Sequence, residues 1–329
     1  MKSPSLFSRL ALLTLVSVTA CPRSFAQDVG ADTVVDAPKP ASVRIYPDLA
    51  YVENGSSRQK LDLYLPVPMP KETLPVIVYF HGGGWQKGSK ADGRKFAFRM
   101  VAQGYAVACV DYRLTSDAAY PAQIEDSRTA IRWLRAHSTR YRFDSRHFGG
   151  MGVSAGGYLV VMLGAANSAR FFDTGENLGE SSALQAACDF FGPTDLLQLY
   201  ETADEHQTPQ AEEVAKFFGG DPRMRKDQVR AANPITYLDG EVPPFLLIHG
   251  TNDTVVAPDH SRLFYRALVQ RHLPVHLHLI HEVGHTGPAF VAPDINAIVD
   301  NFFSATLKPN SQARFPELDV HTESNARKD

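Results

Sequence analysis

The feature that most constrains this chain is the alternation of short apolar runs with longer segments of helical periodicity. Strands covered on both faces of a parallel sheet have continuous apolar runs, whereas half-exposed strands alternate apolar and polar residues. Two alternating segments, 42–52 and 60–66, come first and flank Asn54-Gly55, as the strands of an antiparallel edge hairpin do. Six continuous apolar runs follow, at 75–80, 105–110, 147–153, 184–191, 244–250 and 274–280.

Helical segments separate these apolar runs. A helix is predicted to begin at Pro121, because Ile124, Ile131 and Leu134 then share one face. Further helical segments occupy 156–166, 259–272 and 294–307. An antiparallel first pair of strands, followed by strands separated by helices, is the order of an α/β-hydrolase. The sequence therefore predicts the α/β class: a mostly parallel, eight-stranded sheet with helices on both faces.

The longest interruption of this pattern lies between Gly192 and Pro243, after the sixth strand. It is polar, with scattered Leu, Phe and Tyr. An insertion there would pass over the carboxyl edge of the sheet, where open α/β folds bind ligands. We interpret residues 192–243 as a small cap insertion and not as a second domain.

The N-terminus has the composition of a secretory signal peptide. Lys2 and Arg9 precede an apolar run at 10–20, and small residues lead to a cleavage site after Ala26. The sequence thus predicts an exported protein, periplasmic or secreted. An alternative stays open, because the residues ending at Cys21 resemble a bacterial lipobox. In that case Cys21 would carry a lipid and tether the protein to a membrane.

Charge and hydropathy exclude several classes of partner. Removing the signal peptide takes away three basic residues and no acidic ones, which moves the formal charge from −3 to −6. A mildly acidic surface without a basic run argues against nucleic acid. No run reaches the roughly 18 apolar residues of a transmembrane helix. We predict a signal peptide at 1–26, a polar leader at 27–43, an α/β-hydrolase domain at 44–307 and a mobile C-terminal tail at 308–329.

The cysteines do not form a disulfide framework, since the chain has only 3. Cys109 and Cys188 lie in apolar runs and are expected to be buried as small hydrophobic residues. In the expected strand order two other strands separate them. At about 4.8 Å per strand, their Cα atoms would exceed the roughly 7 Å limit for a disulfide.

A candidate nucleophile lies at the junction between the run 147–153 and the helix that follows it. Gly152-Val153-Ser154-Ala155-Gly156 fits G-x-S-x-G, a match that is weak by itself. Here it has the strand–turn–helix context that a nucleophile elbow requires. The start of the following helix also favours developing negative charge. Ser154 is therefore predicted to be the nucleophile.

A second glycine-rich motif, His-Gly-Gly-Gly-Trp at 81–85, follows the third predicted strand. Its spacing does not fit the phosphate loop G-x-x-x-x-G-K-[ST]. Glycines after a strand let backbone N–H groups approach a substrate oxygen closely. Gly83 and Gly84, together with Ala155, are predicted to form an oxyanion hole.

A serine hydroxyl needs a base that is oriented by a carboxylate, and in this fold the chain order is Ser, Asp or Glu, then His. Asp253 follows the seventh predicted strand and His285 follows the eighth. Both loops lie at the edge of the sheet that carries Ser154. The alternatives are Asp195, after the sixth strand, for the acid and His281 for the base.

Several longer motifs resemble those of a known family: "YFHGGGWQKGSK", "VDYRL", "YPAQIEDSRTAIRWLR", "GVSAGGYL", "FFGPTDL" and "VGHTG". They are similar to secreted α/β-hydrolase esterases of the acetylxylan and feruloyl esterase type, near the hormone-sensitive-lipase-like carboxylesterases. The resemblance covers about residues 42–306. It implies Ser154 as nucleophile, Asp253 as acid and His285 as base. Trp85 also occurs in formamidases of this fold, so the motifs do not fix the acyl group or the leaving group.

The sequence therefore predicts a serine ester hydrolase that works through an acyl-enzyme without metal or cofactor. Its expected substrates are small-molecule or polysaccharide esters, short-chain or carbohydrate-linked, with acetyl or hydroxycinnamoyl groups. The alternatives are an arylformamidase, a serine peptidase and a non-catalytic binding protein of hydrolase fold. No feature of the sequence sets the oligomeric state.

The signal-peptide prediction is tested by the N-terminus of the exported protein. We expect the mature chain to begin at Gln27, because cleavage follows the small residue Ala26. Intact-mass measurement and N-terminal sequencing of protein recovered from the exported fraction would check this. A mature chain that begins with a lipidated Cys21 would contradict it.

Overall fold

The computed structural model describes residues 42–308 and 311–313. The predicted signal peptide, Cys21, and most of the leader and of the tail lie outside the described residues. The first strand begins at Ser42, two residues before the predicted start of the domain. Within the described residues, no helix is both long enough and apolar enough to cross a membrane.

Eight strands form one sheet in the part of the chain that the structure describes. They are β1 (Ser42–Ala50), β2 (Lys60–Val67), β3 (Leu74–Phe80), β4 (Ala106–Val110), β5 (Phe143–Val153), β6 (Ala186–Phe190), β7 (Phe245–Gly250) and β8 (Val275–Ile280). Their spatial order is β1-β2-β4-β3-β5-β6-β7-β8. Strand β2 pairs antiparallel with β1 and β4, and the other pairs are parallel. The predicted α/β-hydrolase sheet is confirmed.

The described α-helices lie between these strands and after the last one. They are α1 (Arg94–Ala102), α2 (Ala122–Ala136), α3 (Ser138–Tyr141), α4 (Ala155–Ala165), α5 (Leu196–Glu205), α6 (Pro209–Phe218), α7 (Lys226–Ala231), α8 (Asp259–Val269) and α9 (Pro293–Leu307). On α2 the predicted face of Ile124, Ile131 and Leu134 is fully buried. Helix α1 was not expected from the periodicity.

The core consists of two apolar layers, one on each face of the sheet. On β3, Val76 and Val78 pack into the layer that contains residues of α2, α4 and α8. Ile77 and Tyr79 of the same strand pack into the layer that contains residues of α1 and α9. Because both faces of the central strands are covered, these strands have continuous apolar sequences.

The insertion between β6 and β7 forms α5, α6, α7 and two short 3₁₀ turns. Asp195 caps the N-terminus of α5, since its carboxylate accepts hydrogen bonds from the N–H groups of Leu197 and Gln198 at 3.0 Å each. Apolar side chains of α6, including Phe217, are buried against the main domain. This packing places α6 close to the loop that follows β3.

Both predicted thiols are buried and unbonded, Cys109 on β4 and Cys188 on β6. Strands β3 and β5 lie between them, as expected.

Burial raises the pKa of the Cys109 and Cys188 thiols above its usual value. For the mature chain, from which Cys21 has been removed with the signal peptide, we expect no reaction with a disulfide reagent at pH 8 in the native state and two reactive thiols after unfolding, because the thiolate is the nucleophile. A Cys109–Cys188 cross-link in the unreduced protein would contradict the strand order.

Candidate active site

The backbone turns sharply at Ser154, between β5 and α4. Its backbone angles, φ of 52° and ψ of −119°, lie in a region that residues with a side chain rarely adopt. The turn is tight, because a Cβ on Gly156 would collide with the carbonyl oxygen of Phe80, and one on Gly152 would collide with that of Gly156. The Ser154 N–H donates to the carbonyl of Phe190 at 2.8 Å. The elbow thus raises the serine side chain above the carboxyl edge of the sheet.

Ser154, His285 and Asp253 form a continuous hydrogen-bonded chain. Nε2 of His285 lies 2.9 Å from Oγ of Ser154, and Nδ1 lies 2.7 Å from Oδ2 of Asp253. Because an ionised carboxylate only accepts hydrogen bonds, Nδ1 of His285 donates and Nε2 accepts from the serine hydroxyl. This is the arrangement in which an imidazole removes the proton of a serine during nucleophilic attack.

The Asp253 carboxylate is held from both sides. Its Oδ1 accepts hydrogen bonds from the N–H groups of Val255 and Val256, at 2.8 and 3.0 Å. Its Oδ2 accepts from His285 and also from Nε2 of His249, at 3.1 Å. Burial alone would raise the pKa of Asp253, but the hydrogen bonds from His249 and His285 outweigh it and hold the pKa well below its usual range. The carboxylate therefore stays ionised beside His285.

His249 is a second neighbour of the Asp253 carboxylate that the sequence motifs did not single out. It is fully buried at the end of β7. Nε2 also lies 2.9 Å from the carbonyl of Val256, and Nδ1 lies 2.7 Å from Oγ of Ser261. Since Nε2 faces two acceptors it carries the proton, and Nδ1 accepts from the Ser261 hydroxyl. Its position four residues before Asp253, at a strand end, is the sequence signal that could have identified it.

The ring of Phe191 packs against the imidazole of His285. The ring of Phe191 lies edge-on to His285, with centroids 4.7 Å apart, and Phe290 packs on Phe191 at 4.6 Å. Phe191 itself has a φ of 46°. The position of His285 is therefore set by packing as well as by its two hydrogen bonds. This contact had no signal in the sequence beyond the aromatic pair at the end of β6.

His281, the alternative base, and Asp195, the alternative acid, lie outside this hydrogen-bonded chain. His281 is exposed at the residue after β8, and the contact with Ser154 belongs to His285. Asp195 is engaged at the N-terminus of α5, and its second oxygen lies 3.4 Å from Nδ2 of Asn233. Neither residue joins the hydrogen-bonded chain at Ser154.

The predicted oxyanion-hole residues flank Ser154. Gly83 and Gly84 have φ values of 112° and 59°, which favour glycine, and Ala155 is the first residue of α4. Among the described residues, no carbonyl or side chain accepts a hydrogen bond from their three N–H groups. A Cβ on Gly82 would lie 3.4 Å from Cβ of Ser154, so the loop is directly against the elbow. These N–H groups are available to a substrate oxygen.

Residues 81–85, which we call the oxyanion loop, are anchored by buried contacts of His81. Its ring stacks on Tyr112 with centroids 4.3 Å apart, and the Tyr112 hydroxyl donates to the carbonyl of His81 at 2.8 Å. Nδ1 of His81 lies 2.8 Å from the carbonyl oxygen of Gly82. These buried contacts hold the loop in place before any substrate binds.

Comparison with known proteins assigns the family. The family model BD-FAE matches residues 61–268. Esterase LipC of Mycobacterium tuberculosis is 29% identical over 216 residues, which are 64% of this chain and 52% of LipC. The chain thus spans about half the length of the curated relatives it matches.

Solved structures give the same result. A truncated carbohydrate esterase from gut microbiota has a TM-score of 0.72 and 26% identity, with 81% of this chain and 97% of that chain covered. Esterase B from Lactobacillus rhamnosis has a TM-score of 0.68 and 26% identity, with 82% and 89% covered. The fold and site define an α/β-hydrolase of the hormone-sensitive-lipase-like type. This chain belongs to the BD-FAE family.

Substitution of Asp253 and of Asp195 tests which of the two carboxylates is the acid that orients His285. We expect Asp253→Asn to lower kcat by roughly 10⁴, as in the serine-protease precedent, because the wrong imidazole tautomer is then favoured. Asp195→Asn should change kcat little, since asparagine is also a good helix N-cap. Hydrolysis of p-nitrophenyl acetate by both variants, with circular dichroism as a folding control, measures this. The reverse order of effects would move the acid to Asp195.

Proposed function

We propose that this protein is a serine ester hydrolase that cleaves carboxylic esters through an acyl-enzyme. The observation that carries the proposal is the chain of hydrogen bonds from Ser154 through His285 to Asp253, beside backbone N–H groups that have no acceptor among the described residues. The esterase names of the relatives and structural neighbours support it independently. Family membership alone would not establish the activity.

The reaction follows from this geometry. Oγ of Ser154 attacks the ester carbonyl carbon while its proton passes to Nε2 of His285. The carbonyl electrons move to the oxygen, which is stabilised by the N–H groups of Gly83, Gly84 and Ala155. Asp253 stabilises the imidazolium through Nδ1. The imidazolium then protonates the leaving alcohol, and a water molecule attacks the acyl-enzyme by the same steps to release the acid.

For the substrate, we propose short-chain or carbohydrate-linked esters, with acetyl or hydroxycinnamoyl as the acyl group. Two structural neighbours are described as a carbohydrate esterase and a bifunctional GH43-CE protein. The exposed positions of the cap include charged residues such as Glu205, Glu212 and Arg223. A lipase for long chains needs instead a broad apolar surface around its site.

We also propose that the protein is exported, on the strength of the N-terminal sequence. The runner-up activities within the same chemistry are arylformamide and peptide hydrolysis. They differ from ester hydrolysis in the leaving group, which is an amine. Rates on matched acetyl esters and acetyl anilides would separate them, and we expect the ester to be the faster substrate.

The proposed nucleophile is tested by Ser154→Ala. We expect hydrolysis of p-nitrophenyl acetate to fall by several orders of magnitude, because no other group supplies the attacking oxygen. The melting temperature should not fall, since the substitution removes only a hydroxyl at a strained position. Residual activity within about tenfold of the unmodified protein would remove Ser154 from this role.

The preference for short acyl groups is tested with a series of p-nitrophenyl esters. We expect kcat/KM to fall steadily from acetyl to octanoyl, and no activation at a lipid interface, because the cap offers no broad apolar surface. Release of acetate or a hydroxycinnamate from plant polysaccharide fragments should accompany this profile. A preference for octanoyl or longer chains would contradict the proposal and indicate a lipase.

A further inference from the structure

A carboxylate of the cap lies directly against the oxyanion loop. A Cβ on Gly84 would come within 2.6 Å of a carboxylate oxygen of Glu213 and within 2.5 Å of its carboxyl carbon. Glu213 therefore touches the backbone whose N–H groups flank Ser154. Nothing in the sequence motifs predicted a charged side chain at this place.

The packing of α6 determines this position. Phe217 lies one helical turn after Glu213 and so occupies the same face of the helix. Its ring packs on Trp85 of the oxyanion loop, with centroids 4.4 Å apart. On the outer side, Nζ of Lys216 donates to Oε1 of Gln86 at 3.1 Å. The helix is thus docked on the loop by Phe217, and this contact carries Glu213 to Gly84.

Glu213 has no structural role that accounts for its charge. Among the described residues, no group forms a hydrogen bond or an ion pair with its carboxylate, although the side chain is half-buried. Burial raises the pKa of Glu213, and the positive charges of Lys87 and of protonated His285 lower it in part. A half-buried carboxylate without a partner is unfavourable in the free protein. Such a group gains free energy when a ligand supplies hydrogen-bond donors.

The neighbours of Glu213 indicate which part of the substrate reaches it. In the proposed reaction His285 protonates the leaving oxygen, so the space near His285 holds the alcohol half of the ester. Glu213 touches Gly84, and Gly82 of the same loop lies against Ser154, so Glu213 borders this space; the positive charge of His285 lowers the pKa of Glu213 in part. Lys87 also acts on Glu213, and its positive charge opposes the entry of a cationic alcohol. Neutral hydroxyl groups are the donors that fit beside both charges.

We propose that Glu213 binds hydroxyl groups of the leaving alcohol and makes the enzyme selective for esters of hydroxyl-rich alcohols such as sugars. The proposal rests on the proposed esterase function and names the substrate class for the same site. Each sugar hydroxyl donates a charge-assisted hydrogen bond to the carboxylate. The selectivity then comes from the cap, through one side chain, and not from the residues that carry out the chemistry.

The same position has an electrostatic cost for other substrates. The oxyanion forms beside Gly84, and a carboxylate at that distance repels the developing negative charge. A substrate with hydroxyl groups offsets this repulsion by binding Glu213. A substrate without them experiences only the repulsion. Removal of the charge should therefore have opposite effects on the two kinds of ester.

The test compares two acetates with ring alcohols of the same size. One is a monoacetate of methyl β-xyloside and the other is cyclohexyl acetate, which has no hydroxyl groups. For Glu213→Gln we expect kcat/KM to fall about tenfold on the sugar ester, mainly through KM, because a neutral amide is a weaker acceptor. On cyclohexyl acetate kcat/KM should stay constant or rise. Methyl β-xyloside should also become a weaker product inhibitor.

Glu212→Gln is the matched control. Glu212 is the adjacent residue of α6, is exposed, and pairs with Lys216 at 2.5 Å. This variant removes the same charge from the same helix but not from the site, so the ratio of the two kcat/KM values should not change. Thermal unfolding of both variants checks that α6 remains docked.

Four results would overturn the proposal. Equal losses on the two acetates in Glu213→Gln would assign Glu213 a purely structural role. A loss confined to acetylcholine, added as a third substrate, would identify a cation site. Hydrolysis of cyclohexyl acetate without hydrolysis of the sugar ester would leave the esterase function standing and reject the sugar preference. A protein inactive on all three esters would contradict the proposed function itself, and the role of Glu213 with it.

Discussion

The close approach of three chain segments beneath Ser154 determines the geometry of the site. The end of β5, the start of α4 and the end of β3 pack so tightly that a methyl group at Gly152 or Gly156 would strike a backbone carbonyl. The serine is therefore held at a positive φ that no unconstrained chain would favour. The same contact brings the loop after β3 against the elbow, so that Ser154 and the N–H groups of Gly83, Gly84 and Ala155 are positioned by one packing arrangement.

The hydrogen bond between Asp253 and His285 depends on a second constraint, which is that the buried carboxylate of Asp253 stays ionised. Four hydrogen bonds from described residues reach the Asp253 carboxylate, two from backbone N–H groups and two from imidazoles. They offset the desolvation that would otherwise favour the protonated acid. An ionised Asp253 orients His285 and stabilises its protonated form. His249 contributes to this by donating a hydrogen bond to Oδ2 of Asp253, the oxygen that also accepts from His285.

The sequence predicted the strands and the order of Ser154, Asp253 and His285, because both follow from local patterns. Continuous apolar runs indicate covered strands, and glycine spacing indicates the elbow. The signals for the other two contacts were weak: His249 had only its place at a strand end four residues before Asp253, and Phe191 had only the aromatic pair at the end of β6. The position of Glu213 against Gly84 could not be predicted from the sequence, since it depends on how Phe217 of the cap packs on Trp85. Contacts between elements distant in sequence need the three-dimensional structure.

The central claim is that Ser154 is made reactive by its hydrogen-bonded partners. Labelling with a fluorophosphonate followed by peptide mapping tests it most directly, because the reagent phosphonylates a serine that a neighbouring base has activated. The account predicts one adduct per chain, on Ser154, and its loss both in His285→Ala and in the unfolded protein. An adduct on another residue, or no adduct on folded protein, would contradict it.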